Sequence, residues 1–199
     1  MSKNLFSAVA DRRSYYGISK ESVVSDERIK EIIDHAVKYT PSAFNSQSTR
    51  VVLLLGDHHD KLWDIAMEAL RKIVPAEYFA DTENKINSFK NGYGTVLYFE
   101  DNSVVEGLQQ QFALYKDNFP VWSQHSNAMH QYVIWTALEA EGFGASLQHY
   151  GELIDEAVKA EWNLPSNWKF VAQMPFGKPV AEPAEKEFLP LEGRVKVFK

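Results

Sequence analysis

The segment from Ala128 to Glu141 constrains the fold of this chain more than any other feature. Its residue spacing predicts one long helix that is apolar around most of its circumference. The apolar side chains are those of Tyr132, Val133, Ile134, Trp135, Ala137 and Leu138. A helix of this kind must be buried, either in a core or in a subunit interface. The remainder of the chain, or a second copy of it, must therefore pack around this segment.

Length and composition are typical of one globular domain that spans residues 1–199. A chain of 199 residues can bury a sizeable core, and its 45% hydrophobic and 24% charged residues are ordinary for such a domain. The net charge is -6, and no segment is rich in lysine or arginine. Neither nucleic acid nor an anionic membrane is therefore an expected partner.

The chain contains no cysteine, which excludes disulfides, thiolate nucleophiles and cysteine-ligated metals. Six histidines are scattered along the sequence, so no metal site is expected. The segment Met1 to Ala10 is too short and too mixed for a signal peptide, and no apolar run approaches the ~18 residues of a membrane span. The expected location is the cytoplasm.

Helices and strands alternate along the sequence in an order that predicts the α+β class. Ser25 is an expected N-cap, followed by Asp26 and Glu27 in the first turn of a helix that stops at Pro41. Further helices are predicted over residues 62–70, 104–115, 128–141 and 152–162. Strands are predicted over residues 51–55, 95–99, 145–147 and 170–174. Pro120 is expected to interrupt the chain before the long helix.

The C-terminal tail is expected to dock on another surface rather than remain free. Residues Val180 to Leu191 are rich in proline and glutamate and predict an extended segment, and Arg194 to Phe198 alternate as a strand does. Both segments follow the last predicted core element. Their prolines and bulky apolar residues favour docking.

Motifs for familiar catalytic sites are absent from the sequence. It contains no GxxxxGK[ST], no HExxH and no GxSxG. The segment Gly142-Phe143-Gly144 lacks the third glycine of a dinucleotide-binding fingerprint. No catalytic acid–base pair is therefore predicted, and three weaker clusters carry the functional argument.

The first cluster is Arg12-Arg13-Ser14. Two adjacent guanidinium groups and a hydroxyl suit a phosphate, because arginine offers paired donors. Taken alone, the pattern is more typical of a solvated basic turn at the end of a helix.

The second cluster lies in the segment from Pro41 to Ser48, between a predicted helix and a predicted buried strand. Binding loops are common at such places, and the amides of Asn45 and Gln47 can both donate and accept hydrogen bonds. The third cluster, Glu141 to Ser146, has glycines that permit a close approach of the backbone. Taken alone, these two segments are more typical of an ordinary turn and a helix C-cap.

Taken together and in this order, the clusters resemble the FMN site of the nitroreductase family. The family's Arg-x-Ser, its Pro-Ser-x-x-Asn-x-Gln and its helix ending in Gly-x-Gly are similar to the three clusters. Its late Phe-Gly and Pro resemble Phe176-Gly177-Lys178-Pro179, followed by a basic residue, here Lys186 or Arg194. The ending from Phe188 to Phe198 is similar to that of yeast nitroreductase-like proteins and some from lactic acid bacteria.

The resemblance implies a central mixed sheet flanked by helices, in a homodimer whose C-terminal strand extends onto the partner. FMN would lie at the dimer interface. Arg12 with Arg194 or Lys186 would hold its phosphate. The remaining expected contacts to the cofactor are Arg13, Ser14, Ser42, Asn45, Gln47, Gly144 and Ala145.

The implied activity is FMN-dependent, with NAD(P)H as co-substrate and a nitroaromatic, quinone or similar small molecule as acceptor in a ping-pong cycle. The flavin carries such chemistry, and the protein supplies binding and orientation. An alternative is a flavin-binding regulatory or redox-homeostasis protein with only incidental turnover. Two departures from the family pattern, Tyr16 and the pair Ser48-Thr49, bear on the reduction potential and the acceptor.

Overall fold

A computed structural model describes residues 3–199 and shows an α+β fold, as the sequence predicts. The helices are α1 (Leu5–Asp11), α2 (Asp26–Tyr39), α3 (Asp57–Arg71), α4 (Phe79–Lys90), α5 (Asn102–Gln111), α6 (Phe119–Ala140) and α7 (Gly151–Glu161). The strands are β1 (Ile18–Ser19), β2 (Thr49–Leu55), β3 (Gly94–Asp101), β4 (Gly144–Ala145) and β5 (Trp168–Pro179).

The sheet has the strand order β1-β5-β3-β2, and β4 pairs with the end of β5. All four ladders are antiparallel, so the expectation of a mixed sheet is corrected for the single chain. The connection from β2 to β3 contains the helices α3 and α4 and is long enough for the crossover that a parallel pair needs. The two strands nevertheless pair antiparallel. A parallel contact involves Ser14 and Ala145, as an isolated bridge beside the sheet.

Helices cover both faces of the sheet, and β3 is therefore buried along its whole length. Val96 and Tyr98 face a cluster built with α2 and α6, whereas Leu97 and Phe99 face a cluster built with α3, α4 and α7. The continuous apolar sequence of β3 is therefore explained by two hydrophobic layers rather than one. The long helix α6 lies on the first of these faces.

Helix α6 begins at Phe119, well before the predicted start at Ala128. Pro120 lies in its first turn, where the missing N–H costs no hydrogen bond and the fixed φ suits a helix. Pro120 therefore starts the helix instead of interrupting the chain. The helix ends at Ala140, and Gly142 follows with a φ of 98°.

The other predicted elements are present with shifted ends, and α1 and α4 were not predicted. Ser25 caps α2 as expected, since its hydroxyl accepts a hydrogen bond from the N–H of Arg28 at 3.3 Å. Strand β5 is longer at both ends than the predicted 170–174. It reaches Pro179 because its C-terminal half pairs with β1 and β4, two strands of only two residues each.

The C-terminal tail has no regular structure within the chain. Residues 194–198 form no ladder, although the alternation predicts a strand, and Glu192 and Val195 form an isolated bridge. Val197 and Phe198 are 73% and 90% exposed. A strand needs a neighbouring strand to pair with, so the predicted pairing with a partner subunit stays a prediction.

Candidate functional site

The first and third sequence clusters lie side by side. The N–H of Tyr15 donates to the carbonyl of Ala145 at 3.0 Å, next to the bridge between Ser14 and Ala145. A Cβ atom on Gly144 would lie 2.8 Å from Cβ of Tyr15, a separation that real Cβ atoms essentially never show. Glycine at position 144 is therefore what lets the segment after Arg13 pack against β4.

A cavity of about 670 Å³ opens beside this junction. Its lining combines the first cluster with the start of the tail: Arg12, Arg13, Ser14, Tyr16, Gly17 and residues 181–187. Lys186 is among the latter, so two of the three candidate phosphate contacts, Arg12 and Lys186, share one cavity with Arg13 and Ser14. Tyr16 lines the same cavity and is 53% exposed, so the position that departs from the family pattern also belongs to this site.

Arg12 is held by the aromatic side chains of α6. Its guanidinium carbon lies 4.3 Å from the centre of the Trp135 ring and 6.0 Å from that of Tyr132. Its Nε atom is buried and has no hydrogen-bond partner within the described residues. A buried donor without a partner is uncommon and suggests a missing acceptor, so the residues present fit an anionic group such as a phosphate.

The two alternatives for a late basic contact occupy different places. Lys186 lines the cavity, with Nζ 5.1 Å from the centre of the Phe188 ring. Arg194 does not line it, and its Nη1 atom donates to the carbonyl of Leu189 at 3.4 Å. Arg13 donates a hydrogen bond to the carbonyl of Ala184, which fastens the start of the tail over the cavity.

The second cluster forms a strained loop. Phe44, Asn45 and Gln47 have φ values of 56°, 51° and 48°, in the left-handed region that residues with a side chain seldom adopt. The hydroxyl of Ser42 accepts a hydrogen bond from the N–H of Gln47 at 2.9 Å. The backbone carbonyl of Ser42 accepts one from the N–H of Asn45 at 3.0 Å. Ser42 therefore holds the loop closed, while the side chains of Asn45 and Gln47 are exposed.

This loop does not meet the other two clusters within the single chain. It lies at the N-terminal end of α6, where the ring of Phe44 stacks on that of Trp122 at 5.9 Å between centres. No hydrogen bond or cavity in residues 3–199 joins Ser42, Asn45 or Gln47 to Arg12. One chain therefore presents two separate parts of the predicted site.

The electrostatics near the cavity are set by groups that do not form a proton-transfer pair. Burial raises the pKa of Tyr15, with a contribution from the charges of Glu182 and Glu139. A hydrogen bond to Glu139 raises the pKa of Lys3, despite partial desolvation. The phenol of Tyr15 therefore stays protonated and Lys3 stays charged around neutral pH.

In residues 3–199, no three histidine, aspartate or glutamate side chains gather where they could hold a metal ion. Among the helices of the same residues, none combines the length and apolar character needed to cross a bilayer.

A family model of the nitroreductases matches residues 9–178, a range that includes the two-arginine cluster, the strained loop and β4. The chain belongs to the nitroreductase family. The resemblance that the sequence motifs indicated is therefore confirmed, and with it a nitroreductase-type fold and enzyme class.

Several relatives of this nitroreductase agree with that assignment. Nitroreductase FRM2 of Saccharomyces cerevisiae is 33% identical over 189 residues, which cover 94% of this chain and 93% of the relative. Nitroreductase CinD of Lactococcus lactis, solved with chloramphenicol and with 4-nitrophenol, is 43% identical with TM-scores of 0.90 and 0.89, covering 98% of this chain and 100% of that one. A protein of Desulfovibrio desulfuricans solved with FMN shares the fold at a TM-score of 0.69 and 20% identity, with full coverage of both chains.

Sequence reasoning missed the position of Phe44 in this nitroreductase. Its ring connects the strained loop to two aromatic residues of α6, with 5.2 Å between its centre and that of Phe119 and 5.9 Å to that of Trp122. An aromatic residue between the Pro-Ser and Asn of the second cluster was the available indication. Its left-handed φ, which brings the ring back onto α6, could not be read from residue types.

Proposed function

We propose that this nitroreductase is a cytoplasmic, homodimeric, FMN-dependent NAD(P)H oxidoreductase that reduces nitroaromatics, quinones or similar acceptors in a ping-pong cycle. The observation that carries the proposal is the cavity lined by Arg12, Arg13, Ser14 and Lys186, next to the contact of Ser14 and Tyr15 with β4. Glu182, Glu185 and Glu187 line the same cavity, so the phosphate of FMN would have to be held by direct bonds from the guanidinium groups rather than by a net positive charge of the cavity.

Arg12 is the principal phosphate ligand in this proposal. Its guanidinium plane is fixed by Trp135, so little side-chain freedom remains to be lost when an anion binds. Arg13 and Lys186 supply additional positive charge, and the exposed hydroxyl of Ser14 can contact phosphate or ribityl oxygens. Arg194 would join this set only if the tail of a partner subunit brought it there.

Gly144 and Ala145 would lie against the ring system. Both residues are buried in β4, where the main chain is held by pairing with β5. The side of Gly144 where a Cβ would lie is filled by Tyr15, so a ring would have to approach this backbone from another side. A fixed backbone donor orients a ring without any catalytic side chain, which agrees with the lack of a predicted acid–base pair.

A second copy of the chain would complete the site with its strained loop. Ser42, Asn45 and Gln47 lie apart from the cavity in one chain, and the exposed amides of the last two suit the polar edge of a flavin. The α2–α6 surface beside the loop is apolar: Met129, Tyr132 and Val133 are 39%, 44% and 39% exposed and line a groove of about 490 Å³. Exposed apolar patches of this kind are typical of subunit interfaces.

The residues of the chain bind, orient and shield in this mechanism rather than exchange protons. The chemistry that FMN would supply when bound is the transfer of a hydride equivalent from NAD(P)H to the acceptor, with the additional proton coming from water. Nicotinamide and acceptor would use the same face in turn, which makes the cycle ping-pong. The 4-nitrophenol and chloramphenicol complexes of the Lactococcus lactis enzyme support small aromatic acceptors for this chain as well.

The decisive experiment is a titration of the purified protein with FMN, followed by assays of NADH and NADPH oxidation. The expected result is one FMN per chain and steady oxidation that requires a nitroaromatic or quinone acceptor. A protein that binds no FMN would overturn the proposal. Tight FMN binding without steady turnover would instead favour the flavin-binding regulatory alternative.

A further inference from the structure

A buried carboxylate lies behind the strained loop. Glu100 of β3 is 1% exposed and accepts three hydrogen bonds. Oε2 accepts from the hydroxyl of Ser48 at 2.6 Å, and Oε1 accepts from the hydroxyl of Thr49 at 2.6 Å and the Nδ2 atom of Asn127 at 2.8 Å. A buried carboxylate is stable only when such bonds replace its lost hydration.

The Glu100 carboxyl group is hydrogen-bonded by uncharged side chains rather than paired with a cation. No ion pair among residues 3–199 includes Glu100; the nearby Arg50 pairs with Asp101 at 2.8 Å. Each donor that Glu100 loses would leave buried charge without compensation, which is more costly than the loss of an ordinary surface hydrogen bond. Glu100 therefore constrains its three partners strongly.

Two of those partners form the end of the loop. Ser48 and Thr49 directly follow Gln47, and both are buried, with 0% and 5% of their surfaces exposed. The carbonyl of Ser48 also accepts from the N–H of Asp101 at 3.0 Å. The chain is therefore fixed at the point where the loop becomes β2.

The third partner connects Glu100 to α6. The Asn127 amide donates to the carbonyl of Phe99 at 3.1 Å as well as to Glu100, and its Oδ1 atom accepts from Gln131 at 2.6 Å. These bonds define which side of the amide is the donor. Glu100 is thus held by the same helix whose first turns pack on Phe44.

The loop needs such external support because its own conformation is unfavourable. Left-handed φ values at Phe44, Asn45 and Gln47 each cost on the order of 1 kcal/mol or more and persist only where surrounding contacts impose them. The hydroxyl and carbonyl of Ser42 close the loop from its beginning. The bonds from Ser48 and Thr49 to Glu100 fix its end.

We propose that Glu100 is a positioning residue that holds the loop of Ser42, Asn45 and Gln47 in its cofactor-binding shape through Ser48 and Thr49. The inference rests on the proposed function in one respect, that this loop contacts FMN. Its structural part, that Glu100 controls the loop, can be tested in the protein without FMN.

The test compares Glu100→Gln with the wild type in two measurements. Glutamine keeps the side-chain volume but has one acceptor oxygen instead of two, so one of the Ser48 and Thr49 hydroxyls loses its acceptor and would have to accept from the glutamine amide instead. The N–H groups of Asn45, Ser46 and Gln47 donate within the loop, so their hydrogen exchange in FMN-free protein reports on loop shape. We expect their exchange to accelerate about tenfold and FMN affinity to fall about tenfold, equivalent to about 1.4 kcal/mol.

Thr95→Val is the matched control. Thr95 is a buried polar residue of the same strand, but its hydroxyl serves His59 and Trp63 on the opposite face. This variant should lower the unfolding temperature without changing loop exchange or FMN affinity. If Glu100→Gln behaves in the same way, Glu100 is a structural core residue and the proposal is overturned.

A double-mutant cycle covers the case in which Glu100→Gln folds poorly. Ser48→Ala removes one donor and should by itself accelerate exchange at Gln47. Added to Glu100→Gln, it should change exchange little, because the bond is already lost. Fully additive effects, or normal exchange in Ser48→Ala, would contradict the proposal. A wild type that binds no FMN would refute the proposed function, while the exchange results would still decide the role of Glu100.

Discussion

The guanidinium group of Arg12 lies over the ring of Trp135, with 4.3 Å between its central carbon and the ring centre. A cation over an aromatic face gains about 0.5–2 kcal/mol, depending on its solvation, without using the guanidinium N–H donors. The buried helix α6 therefore orients Arg12 and leaves its donors available. The helix that most constrains the fold also sets the direction of Arg12, the proposed phosphate ligand.

The first prediction is that Arg12→Ala weakens FMN binding by about 1.5–3 kcal/mol, the usual range for a hydrogen bond to a charged group. Arg12→Lys should recover part of this loss, because it keeps the charge but not the paired donors or the stacking. Arg71→Ala is the matched control, since Arg71 pairs with Glu83 on the surface at 2.6 Å. Fluorescence titration with FMN measures all three variants, and equal affinities for Arg12→Ala and wild type would remove Arg12 from the site.

The second prediction concerns the contact between Gly144 and Tyr15. In Gly144→Ala the new Cβ would meet Cβ and Cγ of Tyr15 at 2.8 Å, so the Arg12–Ser14 segment must move. We expect the free energy of unfolding to fall by about 1–3 kcal/mol, the usual cost of overpacking, and FMN binding to weaken. Gly107→Ala is the control, because a Cβ there has no neighbour within 4 Å and alanine favours the helix α5. Chemical denaturation that shows equal stability for both variants would contradict the tight packing at Gly144.

Local patterns predicted the parts of the site that lie close in sequence or next to regular elements. The paired arginines, the Gly-x-Gly after α6 and the cap at Ser25 were each visible as residue types at fixed spacings. Local chemistry explains these successes, because each depends on neighbours within a few residues.

Features that depend on tertiary contacts could not be predicted in the same way. The ring of Phe44 packs against aromatic residues of α6 that are distant in sequence, and this packing stabilises the left-handed φ of Phe44. Glu100 lies just beyond the strand predicted over residues 95–99, and its role as the acceptor for Ser48 depends on a residue distant in sequence. Pro120 suggested an interruption, although a proline is equally suited to the first turn of a helix. Residue type alone cannot choose between these roles.

The third prediction follows from the burial of His59. Burial lowers the pKa of His59 to about 4 from an ordinary value of 6.5, and its ring contacts the Thr95 hydroxyl at 2.8 Å and the Lys90 carbonyl at 3.2 Å. Because the folded-state pKa lies below the unfolded-state value, acid protonates the unfolded chain preferentially. The stabilisation from neutral His59 is thus complete above the unfolded pKa and is lost as the pH falls from about 6.5 towards about 4.

The expected loss from this one group is about 2 kcal/mol between about pH 7 and about pH 5. Urea denaturation at both pH values measures it, with His59→Gln as the comparison because glutamine does not titrate. The variant should be less stable near neutrality and should lose less stability on acidification. Equal pH dependence in both proteins would show that the buried histidine is not protonated on unfolding.

The fourth prediction addresses the tail, whose role in one chain differs from its expected role in the dimer. Within residues 3–199, the hydrogen bonds of Arg194 and Val195 go to the nearby carbonyls of Leu189 and Leu191. Val197 and Phe198 are exposed, so deletion of Gly193–Lys199 removes little that stabilises the isolated chain. Any substantial effect must therefore come from a partner subunit.

We expect the deletion to weaken dimerisation, because the exposed apolar side chains of the tail would lose their partner surface. Dimer dissociation measured by sedimentation should rise, with FMN affinity falling in parallel if the site is shared between subunits.

Two point variants separate the possible roles of the tail. Lys186→Ala should weaken FMN binding and leave the dimer unchanged, because Lys186 lines the cavity of its own chain. Arg194→Ala separates charge from packing: flavin loss with an intact dimer would mean that Arg194 crosses to the partner's cavity. If the truncated protein keeps both its dimer and its FMN affinity, the docked tail is wrong and the terminus is dispensable, as exposed termini commonly are.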